Sequence, residues 1–171
     1  MAQRAASLSE AGLPPTHTVS VECVLLIGLP GAGKTTFYRQ RFSATHRHIS
    51  KDLWPNAPRR DLRQQRELQA ALEAGTSVVI DNVNASAAER AAAIAVARAC
   101  RARVVGYYFA VTTRQAVARN IERTGRARVP NVAIFSAAKR LEPPKLAEGF
   151  DRLFRVELTP ERGFAVEEVT P

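Results

Sequence analysis

The apolar run Val21-Glu22-Cys23-Val24-Leu25-Leu26-Ile27 opens directly into Gly28-Leu29-Pro30-Gly31-Ala32-Gly33-Lys34-Thr35-Thr36. No other part of the chain constrains the fold as tightly. The second stretch meets every fixed position of G-x-x-x-x-G-K-[ST], and it follows an expected buried strand, as that pattern requires. Its glycines permit a tight loop whose backbone N–H groups point inward at a polyphosphate. Lys34 then reaches the outer phosphates, Thr35 offers a hydroxyl to magnesium, and the helix that follows adds its positive dipole end. All of Gly28 to Thr36 is therefore expected to bind a nucleoside triphosphate.

Further elements alternate along the chain. Strand one is expected over Val21 to Ile27, a helix over Lys34 to Phe42, and a short strand at His48-Ile49-Ser50 that leads into Lys51-Asp52. Leu62, Leu68 and Leu72 give Arg59 to Ala74 a helical period that stops at Gly75. Ser77-Val78-Val79-Ile80 reads as a buried parallel strand ending in Asp81. An alanine-rich helix (Ser86 to Arg101), a strand (Val104 to Val111) and a helix (Thr112 to Arg123) with Thr112 as its cap come next. A short helix over Val132 to Arg140 is broken by Glu142-Pro143-Pro144, and Phe154 to Leu158 is expected to be the last strand. This alternation predicts an α/β fold with a mostly parallel, doubly wound sheet and ligands at the carboxyl ends of its strands. Residues 1–18, with Pro14-Pro15, read as a tail, and 19–171 as a single domain.

The net charge is +9, and only four of the 25 basic residues are Lys. Such a surface attracts phosphates, although an Arg-rich composition on solvated helix faces would give the same charge. Two cysteines make no disulfide framework, and Cys23 and Cys100 read as buried thiols. The three histidines lack metal-ligand spacing. No apolar run is long enough to span a bilayer and no signal-peptide core is visible, so a cytoplasmic location is expected.

Three constellations add chemistry. Asp81 ends a strand beside the phosphate loop, where an acidic residue can hold magnesium, and Asn82 and Asn84 stand at the rim within reach of nucleotide or substrate. The same residues also suit a turn that caps the next helix. Asp52, after the second strand, faces the loop across the cleft, where it could accept the proton of an attacking hydroxyl, although on its own it equally suits a solvated loop or a helix cap. Arg114, Arg119, Arg123, Arg126 and Arg128 form a basic series in which Arg119 and Arg123 share one helical face. Two guanidiniums there would stabilise a transferring phosphoryl group, and an exposed basic face is the simpler reading.

Together these residues resemble the kinase domain of polynucleotide 5′-hydroxyl kinases, within the wider group of P-loop kinases that includes zeta-toxin-like proteins. The resemblance runs over about Val21 to Leu158. Its sharpest part is Glu142-Pro-Pro144-Lys-Leu146-Ala-Glu148-Gly149-Phe150, similar to the Glu-x-Pro-x-Leu-x-Glu-Gly-Phe segment that closes the DNA-end-repair kinase domain. It implies a P-loop NTPase fold, adenylate-kinase-like, with a helical lid, ATP and Mg2+ as cofactors, and a nucleic-acid 5′ end as acceptor. By position it makes Lys34 and Thr35 the phosphate and magnesium residues, Asp52 the general base, and Arg119 and Arg123 the lid arginines near the donor phosphates. Two departures stand out. Val83 replaces a threonine of the family's Asp-Asn-Thr-Asn strand end, and Pro55 stands where phage-type kinases carry an arginine that contacts the acceptor phosphate. Trp54 offers a surface for base stacking or simple hydrophobic cover.

Three functional readings follow. The first is an ATP- and magnesium-dependent kinase acting on a polynucleotide 5′-OH. The second is a kinase of the same fold acting on a sugar, nucleoside or nucleotide-sugar. The third is a nucleotide-binding interaction module without catalysis.

Overall fold

The computed structural model describes residues 20–171. The expected tail over 1–18 lies outside the described residues. Strand β1 (Glu22–Ile27) is the centre of a six-stranded sheet because nothing along it needs water: Cys23, Val24, Leu25, Leu26 and Ile27 are all fully buried. Helices on both sides exclude solvent, as a parallel sheet demands. In chain order there follow α1 (Lys34–Arg41), β2 (Arg47–Ile49), α2 (Arg60–Glu73), β3 (Val78–Asp81), α3 (Ala87–Ala99) and β4 (Arg103–Phe109). Then come α4 (Thr113–Ile121), α5 (Asn131–Arg140), β5 (Arg152–Leu158) and β6 (Phe164–Glu168), with single 3-10 turns at Lys51–Leu53, Gly125–Ala127 and Leu146–Glu148.

The strand order is β2-β3-β1-β4-β5-β6, parallel throughout except for β6. This is the α/β P-loop NTPase fold. Alternating side chains divide the core. Cys23, Leu25, Ile27, Val78 and Ile80 face α2 and α3, where Leu68, Leu72, Ile94 and Ala97 meet them. Val24, Leu26, Val79, Val105 and Phe109 face α1, α4 and α5, against Phe37, Ala116 and Ile134. Burial of this apolar surface is the main favourable term in the fold.

Register positions the site. Leu26 lies opposite Asp81 of β3, and Ile49 of β2 lies opposite Ile80. The phosphate loop, Asp81 and the 3-10 turn bearing Asp52 therefore emerge side by side at one end of the sheet. Local chemistry sets the helix starts there. Ser86 accepts the N–H of Glu89, and Thr112 forms a reciprocal capping box with Gln115, the cap expected for that helix.

The carboxyl-terminal part corrects one expectation. Phe154 to Leu158 is not the last strand: β5 begins at Arg152, and β6 pairs antiparallel with it. Only Phe164 and Val166 of β6 pack on the core, while Ala165, Glu167 and Glu168 face water. Two inward apolar residues make a weak alternation, and the strand is stabilised by its ladder and by Arg152 bonding both oxygens of Glu168. Cys23 is buried and Cys100 half-buried, both as free thiols. Burial and the neighbouring Cys100 push the Cys23 thiol up to about 12, so it is inert. No helix among the described residues is long and apolar enough to cross a membrane.

Candidate active site

The loop Gly28–Thr36 wraps the amine of Lys34, which donates to the carbonyls of Gly28 (2.8 Å) and Leu29 (2.9 Å). Burial lowers the Lys34 pKa to about 8, opposed by Asp81 and Asp52 and assisted by Arg123. Gly31 has no substitute here. Its φ is +89°, and an added Cβ would lie 2.6 Å from the carbonyl oxygen of Ala116 in α4. Gly33 is covered differently, by the ring of Phe164 at 3.1 Å from the position a Cβ would take. Strand β6 therefore presses an aromatic against the start of α1, where Phe164 also meets Phe37 edge-on at 5.1 Å.

Thr35 Oγ1 donates to Asp81 Oδ2 at 2.7 Å, and His48 Nε2 lies 3.0 Å from the same oxygen. His48 stacks on Tyr38 at 4.2 Å, so α1 fixes its ring. Burial opposes ionisation of Asp81, but the bonds from His48 and Thr35 and the charge of Lys34 hold its carboxyl below the usual range. A carboxylate and a threonine hydroxyl in contact form a hard oxygen donor pair that fits Mg2+.

Asp52 is exposed on the 3-10 turn after β2, with its N–H on Ser50 Oγ at 3.3 Å. Beside it a cleft of about 550 Å³ runs between α2 and α3, lined among others by Asp52, Arg60, Gln64, Asn82, Asn84 and Arg140. Asn82 Oδ1 accepts the N–H of Lys51 at 3.0 Å, while its Nδ2 donates to Gln64 Oε1 at 2.7 Å. Asn84 behaves differently from Asn82. It is buried in the left-handed region (φ 49°), and its Nδ2 donates to the carbonyl of Leu26 at 2.7 Å, tying β1 to the exit of β3. The expected rim amides of Asn82 and Asn84 are thus both used within the protein.

The arginine series divides. Arg119 Nε donates to the carbonyl of Gly31 at 3.0 Å, and Arg123 Nη1 to that of Ala127 at 3.2 Å. Burial and the charge of Arg119 lower the Arg123 pKa against the pull of Asp81. Lys34, Arg119 and Arg123 thus gather cations around one loop, a charge balance that an anion improves. Arg114, Arg126 and Arg128 are exposed and make no ion pair among the described residues. Trp54 is half-buried on the core beside α2, with the Arg63 guanidinium 4.6 Å from its ring centre.

A family model described as an AAA domain matches residues 23–144, most of the chain. The chain belongs to the AAA domain family. This AAA domain is of the P-loop kinase type. It is similar in fold to a chain of an RNA repair complex (24% identity, TM-score 0.60), covering 71% of this chain and 44% of that one. The AAA domain thus spans less than half of that repair protein. It is similar also to a fungal RNA kinase (16%, TM-score 0.62, 82% and 77% covered). A sugar kinase from Janibacter sp. HTCC2649 matches equally well (19%, TM-score 0.62, 82% and 88% covered).

In this AAA domain the Glu142–Phe150 segment is a clasp around α3. Arg90, fully buried, makes a two-pronged ion pair with Glu148 (2.7 and 2.8 Å) and donates to the carbonyls of Asn84, Ala85 and Glu142. Glu142 accepts the N–H of Ala87 at the start of α3. Phe150 packs on Gly106, where a Cβ would meet its ring at 2.8 Å. The segment's polar groups therefore hold the cleft wall together, and none of these contacts reads an acceptor. Sequence reasoning missed Arg90, His48, Gln64 and Phe164. Phe164 had a readable signal, the alternation Phe164-Ala-Val166-Glu. The others act through partners distant in the chain, which spacing does not reveal.

Proposed function

We propose that this AAA domain transfers the γ-phosphate of ATP to a hydroxyl, and that the acceptor is the 5′-OH of a polynucleotide. One observation carries the reading: the exposed carboxylate of Asp52 stands at the edge of an open cleft, next to the strand ends that bear the phosphate loop and Asp81. Asp52 accepts the hydroxyl proton as the oxygen attacks the γ-phosphorus, and the bond to the β–γ bridging oxygen breaks to release ADP. Lys34, Arg123 and the free edge of Arg119 stabilise the charge on the moving phosphoryl group. Thr35 and Asp81 would hold Mg2+, which when bound offsets the charge of the phosphate oxygens. Asn82 fixes the turn that carries the base, and Trp54 flanks it.

A second reading, a small-molecule kinase, has its own support. Lys51 is paired with Asp61 and Arg140 with Glu89, so much of the cleft's charge is balanced internally. Gln64 and Gln65 add amides suited to sugar hydroxyls.

The test is an acceptor panel of 5′-hydroxyl DNA and RNA strands, nucleosides and sugars, assayed with labelled ATP across a salt series. The polynucleotide reading expects labelled strands and a KM that rises steeply with salt as phosphate contacts yield to counterions. Label on sugars alone, with a salt-insensitive KM, overturns it. ATP binding with no transfer to any acceptor overturns both readings.

A further inference from the structure

Among the described residues the arginines sort into paired and unpaired sets. Arg47, Arg90, Arg98, Arg103, Arg140 and others bond a carboxylate. Arg59, just before α2, and Arg60, Arg63 and Arg66 on it do not, although Asp61 and Glu67 are on that helix. Those two acids are already engaged, Glu67 by Arg47 of β2 and Asp61 by Lys51.

These four cations are ordered in space. Arg60 lines the acceptor cleft together with Asp52. Arg63 and Arg66, three residues apart on α2, and Arg59, which precedes the helix in a left-handed conformation (φ 53°), line a second groove of about 460 Å³ with Ala57, Pro58 and Leu62. At the second groove Arg63 also lies over the ring of Trp54, whose body packs on the core. A guanidinium over an indole offers both charge and a planar surface on which a base can stack.

We infer that these arginines, from Arg60 at the cleft around the start of α2 to Arg59, Arg63 and Arg66, form a ledge that carries the single strand following the acceptor nucleotide. The arginines meet successive phosphates, and the Arg63–Trp54 platform stacks a base. The inference rests on the polynucleotide reading and extends it to the strand beyond the reacting end. It also supplies a cation near the cleft where Pro55 cannot. Phosphate contact gives affinity and salt dependence, and an aromatic or guanidinium plane gives sequence-tolerant stacking, the usual pairing in single-strand recognition.

The test measures binding and transfer separately. A 3′-fluorescein 5′-hydroxyl oligonucleotide of about ten nucleotides is titrated by anisotropy at several salt concentrations, a length generous for one ledge. Arg59→Ala/Arg63→Ala/Arg66→Ala is expected to weaken binding at least tenfold and to lower the salt slope by roughly 0.7 for each phosphate no longer neutralised. Arg63→Lys, which keeps the charge and loses the plane, should weaken an ordinary strand and leave an abasic strand unchanged. ATP affinity, measured on each variant, reports that the fold is intact. Wild-type oligonucleotide affinity and salt slope in the triple variant would overturn the ledge, even if transfer to 5′ ends is intact. Loss of binding in the triple variant alongside no wild-type transfer to any strand would uphold the ledge and sink the kinase reading. Displacement of the strand by polyglutamate as readily as by unlabelled oligonucleotide would overturn the ledge as a nucleic-acid site.

Discussion

The side-chain oxygen of Asn82 accepts the backbone N–H of Lys51 at 3.0 Å, joining the end of β3 to the turn that carries Asp52. This bond couples the residue next to Asp81 to the proposed base. It also converts the separation of two parallel strands into a fixed distance across the cleft. Removing it in Asn82→Ala frees the 3-10 turn and leaves the phosphate loop untouched. The expected result is a fall in kcat of about tenfold to a hundredfold, the scale of a small misplacement of a reacting group. KM for ATP should change little. Steady-state kinetics check this, and a change confined to ATP affinity would contradict it.

Glu148 and Arg90 make the matching prediction for stability. Arg90 is fully buried, and Glu148 is largely so. Glu148→Gln leaves a buried guanidinium without its counter-charge, and the expected loss is about 3 kcal/mol, the low end for a broken buried pair because the amide keeps one acceptor. Burial works against ionisation of Glu148, but the bonds from Arg90 and the Lys145 N–H hold its carboxyl below its ordinary value of 4.5. A depressed folded pKa gives stability that is full above the unfolded pKa and lost as the pH falls through the folded one. Denaturation of wild type and Glu148→Gln should therefore differ at pH 7 and converge as the pH drops below about 4.5.

Much of the fold was legible in the sequence because its signals are local. The run into Gly28, the period of Leu62, Leu68 and Leu72, and the Thr112 cap each carry their own physics within a few residues. Strand β6 was missed because its inward side chains are only two, and an antiparallel edge strand after five parallel ones needs no crossover helix to announce it. For the candidate site, the phosphate loop and Asp81 converge because both end adjacent strands, a topological fact that the alternation of elements implies. The distinction between Asn82, which bonds the turn bearing Asp52, and Asn84, which bonds the carbonyl of Leu26, was not legible. It depends on the positive φ of Asn84, which the pattern Asp81-Asn82-Val83-Asn84 does not disclose. The Glu142 to Phe150 segment was legible as a resemblance, but its work is to bond Arg90 and cap α3.

Lys34 predicts a proton-linked nucleotide affinity. Its pKa is lowered to about 8, chiefly by burial, whereas phosphates would favour the charged amine. ATP binding above pH 8 should then take up a proton, and the affinity should fall as the pH rises past that value. Calorimetry at pH 8.5 in buffers of different ionisation enthalpy reads the proton directly. Lys34→Met should bind ATP more weakly and show no such uptake, and a pH-independent affinity in the wild type would contradict the linkage.

Asp52 offers the most direct measurement. With labelled ATP and 5′-hydroxyl oligonucleotides, single-turnover transfer is compared between the wild type and Asp52→Asn, with ATP affinity measured on both. If Asp52 accepts the hydroxyl proton, the substitution lowers the transfer rate by about 10²–10⁴-fold and leaves ATP affinity within about twofold. Transfer by Asp52→Asn at the wild-type rate would contradict the account.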